Sequence, residues 1–391
     1  MMGSWEPNLE ALEYLAPQIA RTKSLAIQGD HTTSPFFCNP APLLQHLEIR
    51  GHSSDVVHLP DNFLGQQAPS LRSVIFGHAC PRLEIIFPLP NLTEFHLHLT
   101  NFMTPFRVGA LFQFLSESPL LQKIVVEVES RSIEDVSLDK VISLESLVEF
   151  DCGCDCAGQI LPFLRLPRLK RLQVTSKKPR RGVIFREEEL AQTLADVLPY
   201  GGRPLLAGVT KMFYYSLSQA HCHTVKLSGN GVDVSFCAFD IMGNTTIIDW
   251  SPDRTCIPFG QIEDLELVGG CSTPAAFPVN DFVLENLRVL RLVPWDEEFA
   301  KELLRSLHPD PGATEVPCRF LQEIEYTYWE SQGSFPRLLV SLVRERERAG
   351  YQLGLVSLVV RDDDDVSHQN FLEELKEHVG EVRVRARGER E

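Results

Sequence analysis

Long hydrophobic runs are missing from this 391-residue chain. No stretch approaches the roughly 18–20 unbroken apolar residues of a membrane-spanning helix, so no membrane partner is expected. Positive charge is scarce: 37 Lys and Arg stand against 53 Asp and Glu, a formal net charge of −16. Phosphate binding needs a basic face, so nucleic acid is not expected as the main partner either. Cysteine is sparse at ten residues, too few for a disulfide scaffold. Residues 1–7 carry neither the basic nor the apolar region of a secretory signal, which predicts reduced thiols and a cytoplasmic or nuclear location. Catalytic signatures are lacking as well. There is no G-x-S-x-G elbow, no Walker loop, no H-E-x-x-H and no G-x-G-x-x-G, so the expectation is a non-enzyme without cofactor or bound metal.

What is present is a phrase of three apolar residues, spaced L-x-x-L-x-L. It occurs as Leu44-Gln-His-Leu47-Glu-Ile49, Leu71-Arg-Ser-Val74-Ile-Phe76, Leu92-Thr-Glu-Phe95-His-Leu97, Leu121-Gln-Lys-Ile124-Val-Val126, Leu147-Val-Glu-Phe150-Asp-Cys152 and Leu169-Lys-Arg-Leu172-Gln-Val174. It resumes at Ile262, Leu287, Leu321 and Leu355, with weaker copies near 22–27 and at Cys222-His-Thr-Val225-Lys-Leu227. First-anchor spacings run 27, 21, 29, 26 and 22 up to Leu169, and 25, 34 and 34 from Ile262 onward. The alternation at the last two anchors is that of a strand buried on one face. One such unit cannot cover its own apolar face, whereas stacked neighbours can. The pattern is the strand half of a leucine-rich repeat. It predicts an α/β leucine-rich-repeat solenoid over residues 1–391, with a parallel concave β-sheet and helices on the convex side.

Between strands the spacing turns helical. Helices are expected after Thr104-Pro105, on Leu190, Leu194 and Leu198, on Phe299, Leu303 and Leu307, on Leu338, Leu339 and Leu342 with Gly350 past the end, and on Phe371, Leu372 and Leu375 stopped by Gly380. A capping helix is expected at 8–20 and a helix-strand cap at 367–391. A hairpin insertion is expected at 229–256, pairing residues 232–239 with 245–250 around Met242-Gly243-Asn244.

Asn8-Leu9-Glu-Ala-Leu12-Glu-Tyr-Leu15, Pro40-Ala-Pro42-Leu-Leu44-Gln-His-Leu47-Glu-Ile49, Leu59-Pro60-Asp-Asn62-Phe-Leu64, Ala68-Pro69-Ser-Leu71 and Pro119-Leu-Leu121 resemble the repeat region of fungal F-box-like leucine-rich-repeat proteins. The resemblance covers residues 8–175 well and the remainder loosely. It implies protein–protein recognition, as the substrate-reading part of an F-box-like ubiquitin ligase. The F-box, a helical segment expected upstream of Asn8, is not visible, so a Skp-type adaptor is expected only if such a segment exists upstream. The alternative is a stand-alone structural or scaffolding repeat protein.

Residues between the second and third anchors should face outward and contact an unknown protein partner: Glu48, Ile75, His96, Val125, Asp151, Gln173, Glu266, Arg291 and Glu325. A second candidate is the basic patch of Arg165, Arg168, Lys170, Arg171, Lys177, Lys178, Arg180 and Arg181, suited to an acidic or phosphorylated partner. Cys152-Gly-Cys154-Asp-Cys156 lacks the two-residue spacing of a zinc knuckle, and Cys152 falls on a core anchor. His96 and His98 flank an anchor and are expected to face solvent or a partner.

Overall fold

The computed structural model describes residues 14, 16–28, 35–51, 57–80, 89–102, 107–130, 141–153, 161–175, 206, 208–217, 222–239, 259–269, 284–294, 297–309, 316–327, 335–360 and 369–386. The chain divides into two compact units, Met1–Gly182 with Asp196–Leu205, and Val183–Ala195 with Leu206–Glu391. Both are mixed α/β, and the fold is dominated by fifteen mostly parallel strands that do not close into a barrel.

In the first unit β1 (Ser24–Gln28), β2 (His46–Arg50), β3 (Ser73–Gly77), β4 (Glu94–Phe102), β5 (Lys123–Ser130), β6 (Glu149–Cys152) and β7 (Arg171–Thr175) lie side by side in chain order, all parallel. The second holds β8 (Lys211–Leu217), β9 (Cys222–Gly229), β10 (Val232–Phe239), β11 (Asp264–Gly269), β12 (Val289–Pro294), β13 (Glu323–Thr327), β14 (Leu355–Val360) and β15 (Glu381–Ala386). Its order is β10-β9-β8-β11-β12-β13-β14-β15, antiparallel only among the first three.

Each repeat is built the same way. The first anchor closes a tight turn by donating its N–H to the carbonyl three residues back, as in Leu44 to Ala41, Leu71 to Ala68, Leu121 to Ser118 and Ile262 to Phe259. The next two N–H groups then both donate to one carbonyl of the preceding repeat: Gln45 and His46 to Lys23, Arg72 and Ser73 to Gln45, Thr93 and Glu94 to Arg72. The second unit repeats this device, with Arg288 and Val289 on Glu263 and Gly354 and Leu355 on Gln322. Register is therefore fixed before each strand begins. Asn91 and Asn286 add a side-chain stitch, donating to the carbonyls of Pro69 and Gly260 in the repeat before.

On the parallel strands from β2 to β13 all three anchors are buried, as with Leu44, Leu47 and Ile49 or Leu287, Leu290 and Leu292. Leu25 and Ile27 of β1 are only half-buried. At β14 the buried anchors are Leu353, Val356 and Leu358, two residues ahead of the expected Leu355, Leu358 and Val360. The buried anchors point toward α1 (Val108–Ser116), α2 (Glu297–Ser306), α3 (Phe335–Arg348), α4 (Gln369–His378) and several short 3-10 turns. Phe95 meets Phe114 of α1 at 4.7 Å, and Tyr326 stacks on Phe335 of α3 at 3.7 Å. In the first unit the rings continue, Phe37 to Phe63 to Phe76 to Phe95, each 5.9–6.3 Å from the next. Arg346 of α3 is fully buried and donates to the carbonyls of Pro317 and Cys318 at 2.7 and 2.9 Å, pinning the turn before β13.

Besides the shifted anchors at β14, three expectations change. The described part of the expected capping helix is Tyr14 and a 3-10 helix at Ala16–Arg21. The hairpin sits one strand earlier than expected: residues 232–239 pair with Cys222–Gly229 around Asn230-Gly231, and 240–258 lie outside the described residues. Asn230 and Gly231 both take positive φ (47° and 77°), the conformation a two-residue hairpin turn demands. The copy at Cys222 is a strand with buried Val225 and Leu227, but it runs antiparallel. The helix expected on Leu190–Leu198 also lies outside the described residues. No helix among the described residues is long and apolar enough to cross a membrane.

Candidate functional site

The side chains between anchors occupy the sheet face opposite the helices, and register aligns them into rows. In the first unit one row runs Glu48, Ile75, His96, Val125, Asp151 and Gln173, each the direct cross-strand neighbour of the next. In the second unit Phe213, Glu266, Arg291, Glu325, Ser357 and Arg383 form the corresponding row. All nine residues expected between anchors lie in these two rows. Val125 departs in one respect: it lies in the row yet is buried, covered by its neighbours, and presents no open apolar contact.

Electrostatics differ along the rows. Glu94, one row over, gathers Ser73 Oγ at 3.1 Å, His96 Nε2 at 2.9 Å and Lys123 Nζ at 3.2 Å. Burial pushes the Glu94 carboxyl up, but the hydrogen bonds from Lys123 and Ser73 and the nearby positive charge outweigh it, leaving the pKa below its usual range. Burial holds the His96 imidazole below its ordinary pKa, against the opposing pull of Glu94. His98 Nδ1 lies 3.1 Å from Glu127 Oε2, and the two imidazole rings meet edge to face at 6.0 Å. In the second unit the charges form a chain across strands. Arg291 donates to Asp264 and lies 3.9 Å from Glu325, which accepts from Arg385 at 3.3 Å. The Asp264 hydrogen bond raises the Arg291 pKa further.

The basic patch is only partly described. Arg165, Arg168 and Lys170 are exposed ahead of β7, and Arg171 on β7 pairs with Glu149 at 3.0 Å. Lys177, Lys178, Arg180 and Arg181 lie outside the described residues. Cys152 is buried at the third anchor, as expected, and forms no disulfide, while Cys154 and Cys156 lie outside the described residues. Among the described residues no group of three or more His, Cys, Asp or Glu could hold a metal ion.

The sequence reading passed over one stretch. Val209-Thr-Lys-Met212-Phe-Tyr214 is a full copy of the phrase, its three anchors buried, and it forms β8. With neither leucine nor isoleucine at any anchor it escaped a leucine-based search, although its spacing was legible. It brings Phe213 and Tyr215 onto the face, their rings stacked at 6.4 Å and 10°. There a depression of about 440 Å³ opens against the hairpin, lined by Phe213, Lys211, Lys226, Asp264, Glu266 and Arg291 among others.

Comparison of the chain with family models and with curated proteins finds no match.

Proposed function

We propose that the chain is a protein–protein recognition module, a degenerate leucine-rich-repeat solenoid that docks a partner on the between-anchor face of its sheet. The observation that carries this reading is the cross-strand rows. Successive strands deliver side chains of differing size and charge to a repeating grid, while the anchors behind them hold the backbone. Such a grid can read a partner side chain by side chain. Following the resemblance in its first half, the module serves as the substrate-reading part of an F-box-like ubiquitin ligase in the cytoplasm or nucleus.

One observation favours the alternative of a scaffolding repeat protein. The chain Asp264–Arg291–Glu325–Arg385 satisfies its charges internally, which stiffens the sheet more than it invites a partner.

Crosslinking from cells with the full chain and with a Glu48→Lys/Asp151→Lys variant tests the proposal. Recognition requires a defined set of captured proteins to fall about tenfold or more in the variant at an unchanged thermal midpoint. Equal capture favours the scaffold. Co-purification of a Skp-type adaptor with the natural protein supports the ligase role.

A further inference from the structure

We propose that the depression floored by Phe213 is the point at which an acidic, aromatic-bearing segment of a partner protein is anchored. The inference rests on the recognition reading above and adds where the partner is held and by what chemistry.

The depression spans β10, β9, β8, β11 and β12 on the between-anchor face. Its volume of about 440 Å³ falls within the range of binding clefts and has room for a few side chains of a docked segment. Phe213 and Tyr215 keep partly exposed rings on a face otherwise given to polar and charged groups. Aromatic residues ringed by polar ones are the usual composition of an interface hot spot.

Charge selects the occupant. Asp264 is committed to Arg291, and its side chain is only 17% exposed. Lys211 is the outer cation on Asp264, a loose ion pair at 3.9 Å with 64% of the lysine side chain in solvent. Lys226 is exposed and holds its ammonium 5.5 Å above the Phe213 ring. Glu266 flanks Phe213 on the opposite side and has an interaction of its own. Asp233 sits beside the hairpin turn, two strands from Lys211 along the same row. Asp233, also exposed, lines the rim at the hairpin turn, and the cations that reach the depression beside Phe213 are the two lysines. A carboxylate placed between them accepts charge-assisted hydrogen bonds from both, while an adjacent ring on the segment replaces the Lys226 ammonium over Phe213.

The test uses the full chain and a capped, fluorescent peptide Glu-Phe-Glu-Phe-Glu, followed by anisotropy. Saturable binding is expected, weakened by added salt. It should fall about tenfold or more with Lys211→Glu/Lys226→Glu, as expected for the reversal of two charge pairs. Phe213→Tyr should retain binding and Phe213→Ala should lose it, with thermal midpoints recorded for each. Because both lysines are exposed, the double variant keeps its fold even if Phe213→Ala does not. Equal binding by the double variant, equal binding of a Lys-Phe-Lys-Phe-Lys peptide, or no saturation at millimolar peptide overturns the assignment. The two proposals fail separately. Cellular capture that survives Lys211→Glu/Lys226→Glu but is lost in Glu48→Lys/Asp151→Lys removes this anchoring point and leaves recognition standing; capture indifferent to both removes recognition itself.

Discussion

The two units solve one problem, covering the anchor side of a parallel sheet, with different materials. In the first, anchors recur 21–29 residues apart, and the described cover is mostly 3-10 turns and the two-residue ladders Val57–His58 with Ala79–Cys80 and Ile142–Ser143 with Leu164–Arg165. Its one described α-helix, α1, falls in the longest step, the 29 residues from Leu92 to Leu121. In the second, the 34-residue step from Leu287 to Leu321 and the 32-residue step from Leu321 to the buried anchor Leu353 hold α2 and α3. Repeat length decides the cover, because a helical crossover needs residues that a 21-residue step does not have. Short cover leaves a shallow layer, and the first unit fills it with the chain of phenylalanine rings. Deeper cover is filled largely by aliphatic helix faces, with the Tyr326–Phe335 pair stacked where α3 meets β13.

The largest expected effect probes that contrast. Phe95→Ala should cost about 4 kcal/mol, and Leu290→Ala, at the same anchor in the second unit, about 3 kcal/mol. Local opening energies from hydrogen exchange in β3–β5 and in β11–β13 read the two, and a smaller loss at Phe95 would break the aromatic account. Next comes a device described only in the second unit. Arg346→Ala leaves the Pro317 and Cys318 carbonyls without their donor and opens a cavity, for about 3 kcal/mol by urea unfolding. Arg346→Lys should recover roughly half, since one ammonium cannot copy the fork. Gly350, at φ 86° just beyond α3, should cost about 1 kcal/mol when changed to Ala, a loss visible as fraying of the last turn.

Acid provides the smallest and most selective effect. His96 has its pKa depressed in the fold, so its contribution is complete above pH 6.5 and is lost as pH falls through the folded value. Glu94, depressed likewise, contributes fully above pH 4.5 and loses that contribution below it. Arg291 is raised and stays charged throughout this range. Lowering pH from 7 to 5 should therefore loosen amides of β4 and β5 while those of β11 and β12 hold. His96→Gln should remove the step, and a step of equal size in the variant would sink the assignment.

Much of this was legible in the sequence. Fourteen strands coincide with the expected phrase or with the expected terminal and hairpin strands, because a buried anchor every second residue has few other solutions in a parallel stack. The outward rows followed from the same arithmetic. Direction was not legible from anchors alone: Val225 and Leu227 satisfy the alternation whichever way the strand runs. The deciding signal was Asn230-Gly231, whose positive φ values close the hairpin. Burial on the outward face was equally hidden, since nothing in the spacing of its own strand marks Val125 as covered. The ion pairs and the Phe213 depression depend on which long side chains reach across strands, and no spacing rule contains that.

The shared carbonyl that receives two N–H groups from the following repeat makes each unit a string of identical couplings. Excising or duplicating one whole turn of such a string keeps every remaining coupling in phase and only shortens or lengthens the grid. Removing a single residue inside a phrase, by contrast, turns its strand over, sending anchors to solvent and the reading side chains into the interior.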